Sequence, residues 1–144
     1  MILGTTSVGL YLCIFDGDDD IEGVEVGAYS DFGRLRDHIV RELEGGRAGS
    51  RFPTFILHSD CDGEWSVAEC GKLRSELTQM RLAMQARPPV PFISDWQRNV
   101  AQSFGLSPKN AFESFIDVNG DFILERIQQL VDVAIDRQLP ISFQ

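Results

Sequence analysis

The densest run of chemically capable side chains is His58, Ser59, Asp60, Cys61, Asp62, Gly63, Glu64, Trp65. It offers an imidazole, a thiol and three carboxylates in a connecting segment, where binding and catalytic residues often sit. A cysteine nucleophile needs a base within hydrogen-bond reach, and His58 stands three residues from Cys61. Working Cys/His pairs are usually assembled from distant segments, so a loop cysteine beside a histidine at a strand end is the preferred reading. A small hydrolase using His58, Asp60, Cys61 and Glu64 is the alternative. Two carboxylates could also flank a glycosidic bond, but sequence spacing does not set the separation that reaction needs. Acids ahead of a helix also complement its dipole.

A second acidic run is Asp16, Gly17, Asp18, Asp19, Asp20, followed by Glu22. Asp16, Asp18 and Asp20 alternate as calcium ligands do, and so do Asp117, Asn119 and Asp121. Neither stretch has glycine at the sixth position or glutamate at the twelfth, so an EF-hand is excluded and solvated turns are expected, with no metal and no cofactor. There is no phosphate-cradling glycine loop, no GxSxG elbow and no HExxH helix. No catalytic residues are therefore assigned, and the chain reads as a binding protein rather than an enzyme. Trp65 reads equally as an interface anchor or as core, whereas Trp96 reads as core.

The elements that must position these residues follow from periodicity and punctuation. Val8 to Phe15 is a nearly unbroken apolar run, which predicts a central strand buried on both faces. The acidic run turns the chain, and Ile21, Val24 and Val26 predict a return strand and hence a hairpin. Ser30 can cap a helix with its apolar stripe at Phe32, Leu35, Ile39 and Leu43, stopped by Gly45 and Gly46. Phe55, Ile56 and Leu57 predict a short inner strand ending at His58. Ser66 and Glu69 form a capping box for a helix carrying Val67, Cys70, Leu73, Leu77, Met80 and Met84, which Pro88 and Pro89 end.

Further helices are predicted from Asp95 to Phe104, with Gly105 as the stop, and from Asp121 through Ile127, Leu130 and Val131. Phe115, Ile116 and Val118 predict a strand, and Pro140 to Phe143 a last one. Strand, helix, strand order predicts a right-handed parallel crossover. The fold class is therefore α+β: a mixed β-sheet with an N-terminal hairpin and several helices packed on it.

At 144 residues the chain has the size of one domain, and residues 1–144 are read as a single unit. No segment approaches the roughly eighteen apolar residues of a membrane span. Met1 to Ser7 has no basic residue and no small-residue cleavage site follows, so no secretory signal is expected and the expected compartment is the cytoplasm. Three cysteines cannot all pair within one chain and show no zinc spacing, so reduced thiols are expected. A net charge of −9 disfavours nucleic acid and favours a basic protein partner.

The segments GLYLCIFDGDDDIEGVEVGAYSDF, RFPTFILHSDCDGEW, SDWQRNVAQSFGL, FIDVNGDFILERI and LPISFQ together resemble the Imm70 family of bacterial immunity proteins. The resemblance spans Gly9 to Gln144 and leaves residues 1–8 as a possible extension. It implies a cytoplasmic antidote that binds a cognate toxin of a polymorphic toxin system, without catalysis. It carries no contact residues, so the expected surface comes from the loops: Asp16, Asp18, Asp19, Asp20 and Glu22 on one, and Asp60, Asp62, Glu64 and Trp65 on the other. Both follow apolar strands, and if those strands are parallel neighbours the two loops share one edge. A structural subunit of a larger assembly would instead expose a large apolar patch.

Overall fold

The apolar run at the start of the chain becomes β1 (Gly9–Asp16), which turns directly into β2 (Asp19–Ala28). The computed structural model describes residues 9–144, so the extension expected at residues 1–8 and the strand start at Val8 lie outside the described residues. The chain continues through α1 (Tyr29–Leu43), α2 (Pro53–Ile56), β3 (Glu64–Trp65), α3 (Val67–Gln85), α4 (Asp95–Phe104), α5 (Ile123–Arg137) and β4 (Ile141–Phe143). The four strands form one sheet in the order β2-β1-β4-β3. The class is α+β, with β1 central as its hydrophobicity predicts.

Every neighbouring pair is antiparallel, so the expected mixed sheet with a parallel crossover is corrected. The reason lies in Phe55, Ile56 and Leu57, which were expected to be an inner strand: the first two end α2 and Leu57 caps it. Pro53 occupies the first turn, where its missing N–H costs nothing. The Glu76 carboxylate, from α3, accepts the N–H groups of Thr54 at 3.2 Å and Phe55 at 3.0 Å. At the other end, Arg36 of α1 donates to the carbonyls of Ile56 at 2.7 Å and His58 at 3.0 Å. Four side-chain bonds from two other helices thus satisfy a four-residue helix too short to hold itself.

The other predicted helices form where local signals place them. Ser66 Oγ accepts from Glu69 N at 3.1 Å while the Glu69 carboxylate accepts from Ser66 N at 3.0 Å, the reciprocal capping box. Gly105 ends α4 in the left-handed conformation at φ 65°. In α1 the expected cap differs: Ser30 falls inside the first turn, and Asp31 closes onto Ala28 N at 3.1 Å. The strand expected at Phe115 to Val118 reduces to a single bridge, Ile116 with Phe122. Asp117 folds that segment into a turn by accepting from Asn119 N and Asp121 N, and α5 then starts at Ile123 rather than Asp121.

The helices cover one face of the sheet. One continuous cluster joins Leu10, Leu12 and Ile14 of β1 and Val24 and Val26 of β2 to the apolar stripes of α1, α3 and α5. Among the described residues, no helix is long and apolar enough to cross a membrane.

Glu76 is the support on which α2 depends. Glu76→Ala is expected to lower the unfolding free energy by about 2 kcal/mol, because two N–H groups lose a charged acceptor. Urea denaturation followed by circular dichroism checks this. A change within experimental error would show that α2 is held by packing alone.

Candidate functional site

The acidic hairpin turn is built on Gly17, whose φ of 64° supplies the sign that a primed hairpin turn needs at its first central position. Its carboxylates are not equivalent. Asp16 pairs with Arg137 at 3.1 Å, Asp20 accepts from the Tyr11 hydroxyl at 2.7 Å, and Glu22 lies 3.9 Å from Arg126. Asp18 and Asp19 are exposed and stand in no ion pair among the described residues.

The loop from His58 to Trp65 is closed by its own histidine. The two imidazole nitrogens face the carbonyls of Ser59 at 2.7 Å and Glu64 at 2.9 Å, and the ring stacks on Phe143 at 4.2 Å. With both nitrogens directed at backbone oxygens, His58 is engaged in shaping the loop rather than poised as a base for Cys61. The Cys61 thiol instead meets Ser59 Oγ at 3.6 Å and is exposed. The ring nitrogens that the hydrolase alternative would use are thus engaged with the loop backbone. Asp60, Asp62 and Glu64 project from this loop into solvent.

Trp65 corrects one expectation. Its side chain is 0% exposed, sits 4.7 Å from the Phe143 ring and 6.0 Å from Phe55, and donates its indole N–H to Thr54 O at 3.0 Å. It is core, because alternation along β3 sends Trp65 inward and Glu64 outward. Trp96, expected as core, is half-buried and bonds Asp31 at 2.8 Å, docking α4 against α1.

The two acidic loops do not share an edge. β1 and β3 run the same way with β4 between them, so the hairpin turn lies where β1 ends and the Asp60 loop lies where β3 begins. They occupy opposite ends of the sheet, and its outer face joins them. One row across that face is Gly23, Cys13, Ser142, Glu64, and a second is Glu25 beside Tyr11. With Asp20 beside Phe15, the outer face carries three carboxylates, Asp20, Glu25 and Glu64, and no Lys or Arg from the strands. Tyr11 lies across Gly23, where an added Cβ would sit 2.1 Å from its hydroxyl oxygen.

These residues lie outside the core cluster, and the expected burial of β1 on both faces fails at Tyr11 and Phe15. Cys13 is nonetheless fully buried, and burial with Asp20 nearby pushes its thiol up to about 11. Burial and the Asp20 hydrogen bond also hold the Tyr11 hydroxyl above its usual range. Glu25 and Tyr11 were missed in the sequence, although the alternation Val24, Glu25, Val26 marks a half-exposed strand.

Two outcomes follow. Trp65→Ala is expected to cost about 3–5 kcal/mol of stability, as large aromatic truncations in cores do, measured by denaturant unfolding. A cost below about 1 kcal/mol would show that the site tolerates the loss and that Trp65 is not packed as described. In the folded protein a thiol reagent is expected to label Cys61 rapidly, while Cys13 and Cys70 react only on unfolding. Fast labelling of all three would contradict the burial of Cys13 and Cys70.

The family model Imm70, Immunity protein 70, matches residues 10–143, and the chain belongs to that family. No curated protein and no solved structure matches the chain.

Proposed function

We propose that this member of the immunity protein 70 family acts in the cytoplasm as a non-catalytic inhibitor, binding a cognate basic toxin domain across its outer sheet face. Family membership implies an immunity protein against a toxin. The observation that carries the surface assignment is the concentration, on the sheet face away from the helices, of negative charge that stands in no ion pair among the described residues. Asp20, Glu25 and Glu64 lie on the strands, Asp18 at the tip of the hairpin extends the face at one end, and Asp60 and Asp62 extend it at the other.

Physical reasoning supports that choice over the helical side. There the charges are largely neutralised in pairs such as Arg74 with Asp132 and Arg81 with Glu125. Unpaired carboxylates on a net charge of −9 produce a field that draws a basic partner from a distance and orients it before contact. The half-buried Tyr11 and the exposed edge of Phe15 lie among these acids and provide apolar contact area at the centre of the face.

The test is association kinetics with the purified toxin domain. Reversing Asp18, Asp19 and Asp20 to Lys is expected to slow association about tenfold or more at low salt and to flatten its salt dependence. Glu25→Lys with Glu64→Lys is expected to act in the same direction and also to speed dissociation. Gln79→Lys with Gln85→Lys, on α3, adds positive charge elsewhere and is expected to change rates less than about threefold. Effects that merely scale with the charge added in each set would reduce the attraction to net charge and remove the outer face as the contact surface.

A further inference from the structure

His38 takes no part in the acidic surface. It lies on α1 at 5% exposure, and neither of its ring nitrogens meets a hydrogen-bonding atom among the described residues. Buried polar side chains are almost always paired, so two orphaned nitrogens on one ring call for a partner. The ring lines a cleft of about 300 Å³ between α1 and the extended segment around Val90, Pro91 and Ile93. That volume is at the lower end of small-molecule sites. The cleft is lined by helix and loop residues and shares none with the outer sheet face.

The lining defines what would fit. Phe115 gives an aromatic wall, its ring centroid 5.3 Å from that of His38, and Val90 and Pro91 give aliphatic ones. Gln97, itself 7% exposed, brings a carboxamide with a donor and an acceptor. The cations at the rim are already matched: Arg34 pairs with Asp31, and Arg41 with Glu42. Burial, with Arg41 nearby, favours the neutral imidazole. A neutral ring presents one donor and one acceptor in a single plane.

We propose that this cleft binds a flat, uncharged group with neighbouring hydrogen-bond donor and acceptor, the chemistry shared by nucleobases and carboxamides, read by His38 and Gln97 against the Phe115 wall. The group can arrive on a free small molecule or on a side chain of a bound protein. A charged ligand would gain little there, because the rim offers it both signs at once. The cleft is independent of the toxin-binding surface, so either assignment can fail without the other.

The experiment is NMR titration of the uniformly ¹⁵N-labelled full chain with adenine, nicotinamide, propionamide and nicotinate. Saturable shifts at the His38 ring and the Gln97 carboxamide are expected with at least one of the first three probes. Nicotinate is expected to bind more weakly than nicotinamide. His38→Phe is expected to abolish the response, and Gln97→Leu, which leaves the α1 packing of His38 in place, to weaken binding about tenfold.

Mass spectrometry of the natively purified protein distinguishes the sources. A co-purifying heterocycle or amide, displaced by the probe, supports a free ligand. Probe binding without one supports a side chain from a protein partner. No saturable shift with any probe, nicotinate binding as tightly as nicotinamide, or a response unchanged in both variants would overturn the proposal and leave His38 as a core residue.

Discussion

The sheet depends on a three-residue strand. β4 pairs with β1 through Leu12 and Cys13 and with β3 through Glu64 and Trp65, so it is the shared neighbour of segments more than forty residues apart. A strand of two residues has no stability of its own, and β3 exists because β4 offers it a ladder and Phe143 packs against Trp65. His58 stacks on that same Phe143, which ties the shape of the Asp60 loop to the strand. Without β4 the outer face would end at β1, and Glu64 would have no fixed position relative to Asp20.

Buried carboxylates form a second level of organisation. Glu44 accepts from Gly49 N, Arg51 N and Phe52 N and so folds the glycine-rich segment after α1. Glu76 holds the start of α2, Asp31 joins α1 to Trp96, and Asp117 makes the turn before α5. Buried acids of this kind are stable because backbone N–H groups or a cation satisfy them. The negative charge is therefore divided. Part of it shapes loops from within, part is paired with arginines at the surface, and Asp18, Asp60 and Asp62 stand in no ion pair among the described residues.

This division is what gives the outer face the charge on which the proposed docking surface rests. Negative composition alone says little, since acids distributed evenly or paired with arginine produce no directed field. The sheet gathers them because alternation along the strands turns Asp20, Glu25 and Glu64 the same way while Val24, Val26 and Trp65 turn inward. The same geometry turns Trp65 into the core and places Tyr11 and Phe15 on the outer face.

Sequence alone determined whatever is decided within a few residues. The capping box of Ser66 and Glu69, the stops at Gly45 and Gly105, the stripe of Phe32, Leu35, Ile39 and Leu43, and the central hairpin are local signals, and each appears where the residues place it. The family resemblance was legible in the same way, from contiguous segments. Tertiary structure decided the rest: that residues 53–56 are helical rather than extended, that the sheet is wholly antiparallel, that Trp65 is core and that the two acidic loops lie at opposite ends of the sheet. The physical reason is common to all four. A short apolar run satisfies its backbone as strand or helix according to which distant groups reach it, and Glu76, Arg36 and β4 are separated from the segments they organise by about twenty to more than a hundred residues.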